Sequence, residues 1–158
     1  FNALYLKYIQ PVYRYALSRI GARAEAEDAA AQTFLAALEG FGRYRDDGRF
    51  AAWLFAIARR KTLDAFRGAK RTVDLPESLP SLEKDLPGQV EQRDHAAMLA
   101  AALRALPEEE QELLRLRYAA VLNFSEIGKL TGISPDAAKK RLYRLLERLH
   151  HQMEGSND

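Results

Sequence analysis

The side chains best equipped for chemistry in this chain are cations and aromatics, and they are clustered. Between 123 and 149 the sequence runs NFSEIGKLTGISPDAAKKRLYRLLERL, with Lys139, Lys140, Arg141, Arg144 and Arg148 gathered around Tyr143. Between 41 and 67, Phe41, Tyr44, Phe50, Trp53, Phe55 and Phe66 interleave with Arg43, Arg45, Arg49, Arg59, Arg60, Lys61 and Arg67. Both sets suit a polyanion that carries flat bases. Lys and Arg donate to phosphates and to guanine O6 and N7, while an aromatic packs on a thymine methyl or on sugar. Interleaved rings and cations suit unpaired strands, because bases stack on the rings while cations hold the backbone. A base drawn out of a duplex needs a pocket of such groups. Enzyme chemistry finds no footing: the chain has no P-loop, GxGxxG, nucleophile elbow or metal-spaced histidine cluster. His95 stands alone and His150 adjoins His151, so all three read as surface residues, and Asp46–Asp47 reads as a turn rather than a cation site. No cofactor and no metal are expected.

Charge mapping sharpens this reading. The net charge of +2 hides two basic blocks: 43–71 has nine cations and three anions, and 113–151 has eight and three. Between them, 72–112 has three cations and ten anions, whereas 1–42 is balanced. Such blocks are commonly solvated faces. Coinciding with helices and aromatics, they suit nucleic-acid contact instead. With no cysteine, disulfides and thiolate metal sites are ruled out. No apolar run approaches the roughly 18–20 residues of a membrane span. A cytoplasmic protein without membrane contact is the expectation, although the chain begins at Phe1 rather than Met, as a trimmed or processed start would.

The elements that must position these residues are helices, since apolar residues recur at three- and four-residue spacing throughout. Leu4, Tyr8, Val12, Ala16 and Ile20 form one stripe; Pro11 should start or kink that helix, and Gly21 can end it. A second helix covers EAEDAAAQTFLAAL, with Glu25, Glu27 and Asp28 in its first turns and Ala30, Phe34 and Leu38 as its stripe. The segment 40–48 is a loop, and a third helix begins near Arg49 and reaches about Arg67. Pro76, Pro80, Pro87 and Gly88 mark an acidic linker over 72–91. Helix resumes with EQRDHAAMLAAALRAL, then LPEEEQELLRLRYAAV with Pro107 at a first turn. Ser125 can cap a short helix, Gly132 lies in the turn, and Ser134 caps a long helix with Pro135 at its first position. Two helices and a Gly-containing turn form a helix-turn-helix. On the long helix Ala138, Leu142, Leu145 and Leu149 share one face. The opposite face carries Asp136, Lys140, Tyr143, Arg144 and Glu147, flanked by Lys139 on one side and by Arg141 and Arg148 on the other.

These segments carry a family resemblance. LPEEEQELLRLRYAAVLNFSEIGKLTGISPDAAKKRLYRLLERL resembles region 4 of bacterial RNA polymerase sigma factors, a pattern shared with other helix-turn-helix activators. ALYLKYIQPVYRYALSRI, AEAEDAAAQTFLAAL and FAAWLFAIARRKTLDAFR follow one another as the helices of sigma region 2 do. With only regions 2 and 4, the chain resembles a sigma factor of the extracytoplasmic-function (ECF) group. The resemblance implies an all-α fold of two small domains: region 2 over 1–71, a flexible linker over 72–91, region 4 over 92–152 and a tail over 153–158.

It also implies roles. Arg43, Tyr44, Arg45 and Asp47 in the loop, with Arg59, Arg60, Lys61 and Arg67 on the third helix, would capture and melt the −10 promoter element. Trp53, Phe34 and Phe50 suit the core, whereas Tyr44 suits solvent-side stacking. Lys139, Lys140, Tyr143 and Arg144 would enter the −35 major groove, with Ser134, Arg141 and Arg148 on phosphates. Asp136 would accept from a cytosine amino group or serve the helix N-terminus. Asp28 and Gln32 would meet core RNA polymerase, at the β′ clamp, with β as a second contact. Asp28 also suits the helix N-terminus for its charge alone. The acidic linker would thread the polymerase's RNA channel, and an anti-sigma factor would be the regulator. The chain departs from the family at Ala31 and Gln32, usually glutamine and glutamate, at Arg60, usually asparagine, and in SPDAAKKR. A free-standing helix-turn-helix regulator is the alternative.

Overall fold

Small side chains set how closely the first helices pack. Ala26, Ala29, Ala30 and Ala37 are all buried on one helix and leave room for aromatics from its neighbours. A computed structural model describes residues 1–72 and 89–155, with side chains for 1–68 and 92–155. Helix α1 spans Asn2–Ile20, α2 Arg23–Gly40 and α3 Phe50–Thr72, each packed against the other two. Val12 and Tyr15 of α1, Phe34 of α2, and Leu54, Phe55 and Ala58 of α3 meet in their core. Tyr15 and Phe55 cross edge to face with centroids 5.8 Å apart. The second half consists of α4 (Gln89–Ala105), α5 (Glu108–Leu114), a π-helical turn (Arg115–Ala119), α6 (Phe124–Thr131) and α7 (Pro135–Gly155). No strand occurs among the described residues, so the all-α fold with a helix-turn-helix in its second domain stands. The proline-rich part of the expected linker and the last three tail residues lie outside the described residues.

Three local expectations are corrected. Helix α1, which Pro11 was expected to start or kink, begins at Asn2 and runs through Pro11. The carbonyl deprived of its partner belongs to Lys7, an exposed position where water can replace the lost N–H. Asn123, not Ser125, caps α6. Glu126 N–H donates to Asn123 Oδ1 at 2.8 Å, and Asn123 N–H donates to Glu126 Oε1 at 3.0 Å. This reciprocal capping box satisfies two otherwise orphaned donors, which Ser125 could not do. Pro107 occupies the N-cap just before α5 rather than its first turn. Other signals hold: Gly21 and Gly132 end α1 and α6 at φ 76°, and Ser134 Oγ accepts from Ala137 N–H at 3.1 Å.

Among the described residues, one non-glycine position is strained. Val121 has φ 58°, the left-handed region that a β-branched residue disfavours by roughly 1–2 kcal/mol. The turn demands it, because Leu122 N–H returns to Leu116 C=O at 3.0 Å just after the π turn. Val121 is exposed and buries little. Val121→Gly is therefore expected to stabilise the protein by about 1 kcal/mol and to raise Tm by about 2–4 °C in calorimetry. An unchanged or lower Tm would refute the strain argument.

Candidate nucleic-acid interface

The loop after α2 is built by its own aromatics. A 3₁₀ turn over Phe41–Arg43 leads into a bend in which Asp46 and Asp47 act on the backbone. Asp46 Oδ1 accepts from Gly48 N–H at 3.3 Å, and Asp47 Oδ1 accepts from Arg49 N–H at 3.2 Å. The pair makes the turn it was expected to make. Tyr44 is half-buried, with its ring 4.9 Å from Trp53 and 5.5 Å from Phe50 by centroids. It is thus part of an aromatic shelf rather than a free stacking platform. Burial, then Asp46 and Asp47, hold its phenol above the usual tyrosine range, so it remains a neutral hydroxyl. Phe34 is buried, while Phe50 and Trp53 lie at the core's margin. Arg43, Arg45 and Asp47 are exposed beside the shelf.

Helix α7 presents the second basic surface. Its apolar stripe, Ala138, Leu142, Leu145 and Leu149, is buried as expected. Ser134, Asp136, Lys139, Lys140, Arg141, Tyr143, Arg144 and Arg148 are all exposed. A ladder of cations and rings steadies the outer part: Arg117 lies 4.6 Å from the Phe124 ring, and Lys139 lies 5.9 Å from the Tyr143 ring. The Phe124 and Tyr143 centroids are 6.4 Å apart. Arg148 pairs with Glu110 of α5.

The fold brings these two surfaces face to face. A cleft of about 1590 Å³ is walled on one side by Arg43, Tyr44, Arg45, Asp47, Arg59 and Arg60. Arg141, Arg144 and Arg148 of α7 form the other side, with Lys129 of α6, a cation the sequence reading passed over. Lys61, half-buried, and Arg67, exposed, stand outside the cleft, as do Ser134, Asp136, Lys139, Lys140 and Tyr143. Arg59 is tied to the second domain: its Nη1 donates to Leu130 C=O at 2.8 Å and its Nε lies 3.1 Å from Glu112 Oε1.

A third surface lies on α2. Asp28 and Gln32 are exposed, and Gln32 Nε2 donates to Asp28 Oδ2 at 2.8 Å. Leu35 and Leu38, 59% and 53% exposed, sit one and two turns further along. Leu38 was expected in the core; the 3.6-residue period instead turns it outward, and Ala37 takes the buried place. This face carries no cation, so its chemistry differs from that of the two basic surfaces. The signal of its leucines in the sequence was a second apolar stripe on a helix already supplied with one.

Among the described residues the fold is all-helical, with a helix-turn-helix and an aromatic, cationic loop, an arrangement that defines the class of helix-turn-helix nucleic-acid-binding proteins. Comparison with known proteins narrows that class. Residues 4–72 match Sigma-70 region 2, and residues 96–149 match Sigma-70, region 4. The chain is 36% identical over 158 residues to the ECF RNA polymerase sigma factor ShbA of Streptomyces griseus, covering 91% of this chain and 83% of that protein. It is 34% identical over 155 residues to the ECF RNA polymerase sigma factor BldN of Streptomyces coelicolor, covering 94% of this chain but only 58% of BldN. The structure of CnrH in complex with the cytosolic domain of CnrY superposes with a TM-score of 0.70 at 21% identity, over 98% of this chain and 88% of that one. The sigma factor RpoE from Bartonella quintana, in complex with the anti-sigma factor NepR, gives 0.68 at 20%, over 98% and 96%. The chain belongs to the ECF sigma factors of bacterial RNA polymerase. Its class of activity is promoter-specific initiation of transcription, and the match to region 2 leaves the free-standing regulator without support.

Proposed function

We propose that the chain acts as a promoter-reading unit: its first domain opens the −10 element, its second reads the −35 element, and α2 holds core RNA polymerase. The observation that carries this reading is the pairing of an aromatic, cationic loop with a helix-turn-helix whose outer face is uniformly exposed. Arg43, Arg45 and Arg60 hold the strand backbone while the Tyr44–Trp53 shelf receives a base. Lys139, Lys140, Tyr143 and Arg144 enter the major groove, and Ser134, Arg141 and Arg148 meet phosphates. Asp28, Gln32, Leu35 and Leu38 dock on the clamp of the β′ subunit, with β as a second contact, and the acidic linker at 72–91 follows the RNA channel. Domain limits of 1–71 and 92–152 fit this division. The protein works in the cytoplasm without catalytic chemistry, metal or cofactor of its own. An anti-sigma factor is its regulator, by analogy with the structural neighbour bound to the anti-sigma factor NepR. No helix of the described residues is long and apolar enough to cross a membrane.

Run-off transcription with bacterial core polymerase and a library of duplex promoters tests the reading. Transcripts should share a two-element motif. Lys140→Ala and Arg144→Ala should each cost about 1–3 kcal/mol of base discrimination, roughly 5- to 150-fold, and relax the −35 element alone. Transcription from no promoter, with specific duplex binding by the protein alone, would overturn it.

A further inference from the structure

The seam between the two domains is organised around one carboxylate. Glu112 of α5 is 5% exposed, yet four donors from three elements converge on it. Tyr15 Oη of α1 donates to Oε1 at 2.7 Å. Arg59 Nε of α3 lies 3.1 Å from the same oxygen. Arg115 Nη1 donates to Oε2 at 3.1 Å, and Arg19 Nη1 of α1 lies 3.6 Å from it. Three of the four donors, Tyr15, Arg19 and Arg59, belong to the first domain. Burial, then the Glu112 charge and hydrogen bond, push the Tyr15 phenol above the usual tyrosine range, so it stays a donor. Burial lowers the Arg115 pKa, but Glu108 and then Glu112 outweigh it and hold Arg115 above the usual arginine range.

Such a site is what a DNA phosphate would meet: an anionic oxygen pair held by guanidinium forks and a hydroxyl. It is also costly glue, because desolvating a carboxylate and three guanidinium groups consumes most of their attraction. Apolar packing already joins the domains, since Leu113 and Leu116 share one continuous core with Val12 and Tyr15. The ion cluster's distinctive effect is therefore to occupy Arg59, which lines the cleft beside Arg60, and to fix α7 across from the aromatic shelf.

We propose that Glu112 is a built-in phosphate mimic that latches the two domains closed and withholds Arg59 from DNA until the domains separate. In the closed state Arg59 has its Nε on Glu112 and its Nη1 on Leu130 C=O. A strand backbone can take the Nε donor, and reorient the whole guanidinium toward itself, only when both contacts break. Closure and −10 capture then compete for one side chain, and the free protein binds promoter strands poorly because few molecules are open. The latch itself is independent of the sigma assignment; its effect on −10 capture rests on the function proposed above.

The absence of cysteine lets two reporters be placed cleanly. Fluorophores at Ala24→Cys and Ser125→Cys, both exposed and one in each domain, report domain separation in the full chain. Glu112→Gln keeps the shape and removes the charge. It should separate the labels and strengthen binding of a single-stranded −10 oligonucleotide about tenfold, the gain expected when an open population of ~10% becomes dominant. Tyr15→Phe, which removes one donor, should act in the same direction and more weakly; it replaces Glu112→Gln as the deciding variant if circular dichroism shows that protein unfolded. Arg59→Ala should separate the labels without strengthening binding. Labels that stay together in the folded deciding variant, or that separate with no gain in oligonucleotide binding, overturn the proposal. Run-off transcription by the unaltered chain with core polymerase tests the sigma reading on its own, so the two can fail separately.

Discussion

Leu35→Asp is expected to abolish productive contact with core polymerase while leaving the fold intact. A surface leucine that anchors an interface is worth about 2 kcal/mol or more, which is roughly 30-fold in affinity, and a charge placed in that desolvated contact adds to the loss. Leu35 is 59% exposed in the free chain, so its removal should shift folding stability by no more than about 0.5 kcal/mol. The exposed Asp28–Gln32 pair one turn away marks the same face. Titration of labelled protein against core polymerase, with a thermal melt alongside, separates the possibilities. Wild-type affinity would remove α2 from the polymerase interface. A large fall in Tm would mean that the leucine serves the fold.

Gly128→Ala is expected to cripple the second domain from inside. A Cβ at Gly128 would lie 2.5 Å from Ile133 C=O and 3.3 Å from Pro135 N, both backbone atoms that cannot swing aside. The turn wraps over this residue, since Gly132 and Ile133 both donate to Gly128 C=O. Relieving the clash requires α6 and α7 to part. The cost should be about 1–3 kcal/mol, as for other overpacked cores. It should be accompanied by loss of −35 selection, because α7 is tilted away from its groove-reading pose. Urea unfolding and footprinting of the polymerase complex read the two effects. Loss of stability with −35 protection intact would show that the turn tolerates the movement.

Much of this molecule was legible in its sequence because the determining forces are local. Apolar spacing set the helices, and Gly21, Gly132 and Ser134 terminate or cap them where their chemistry demands. The charge blocks pointed to both basic surfaces because the apolar stripe at three- and four-residue spacing is buried and leaves the remaining sides of α7, with their cations, exposed. Where local signals competed, the reading erred. Ser125 is a competent cap, but only Asn123 stands three residues before Glu126 with its own N–H placed to donate back to that carboxylate. Leu38 fits a stripe drawn from Phe34 by spacing, yet the buried face runs through Ala26, Ala30, Thr33 and Ala37, and the 3.6-residue period leaves Leu38 to its side.

By itself, then, the sequence determined the helices, the helix-turn-helix and the chemistry of the two basic surfaces, all products of short-range periodicity and capping. Only the tertiary structure decided that the loop arginines and Arg141, Arg144 and Arg148 share one cleft while Lys139, Lys140 and Tyr143 lie outside it, that Tyr44 leans on Trp53, and that Arg59 reaches Glu112 and Leu130. Glu112 looked like one more acidic residue at a helix start. Its partner Tyr15 lies 97 positions away, and no spacing rule spans that distance. Pairings of that kind arise when two apolar faces close on each other and leave a buried charge that must find its donors nearby.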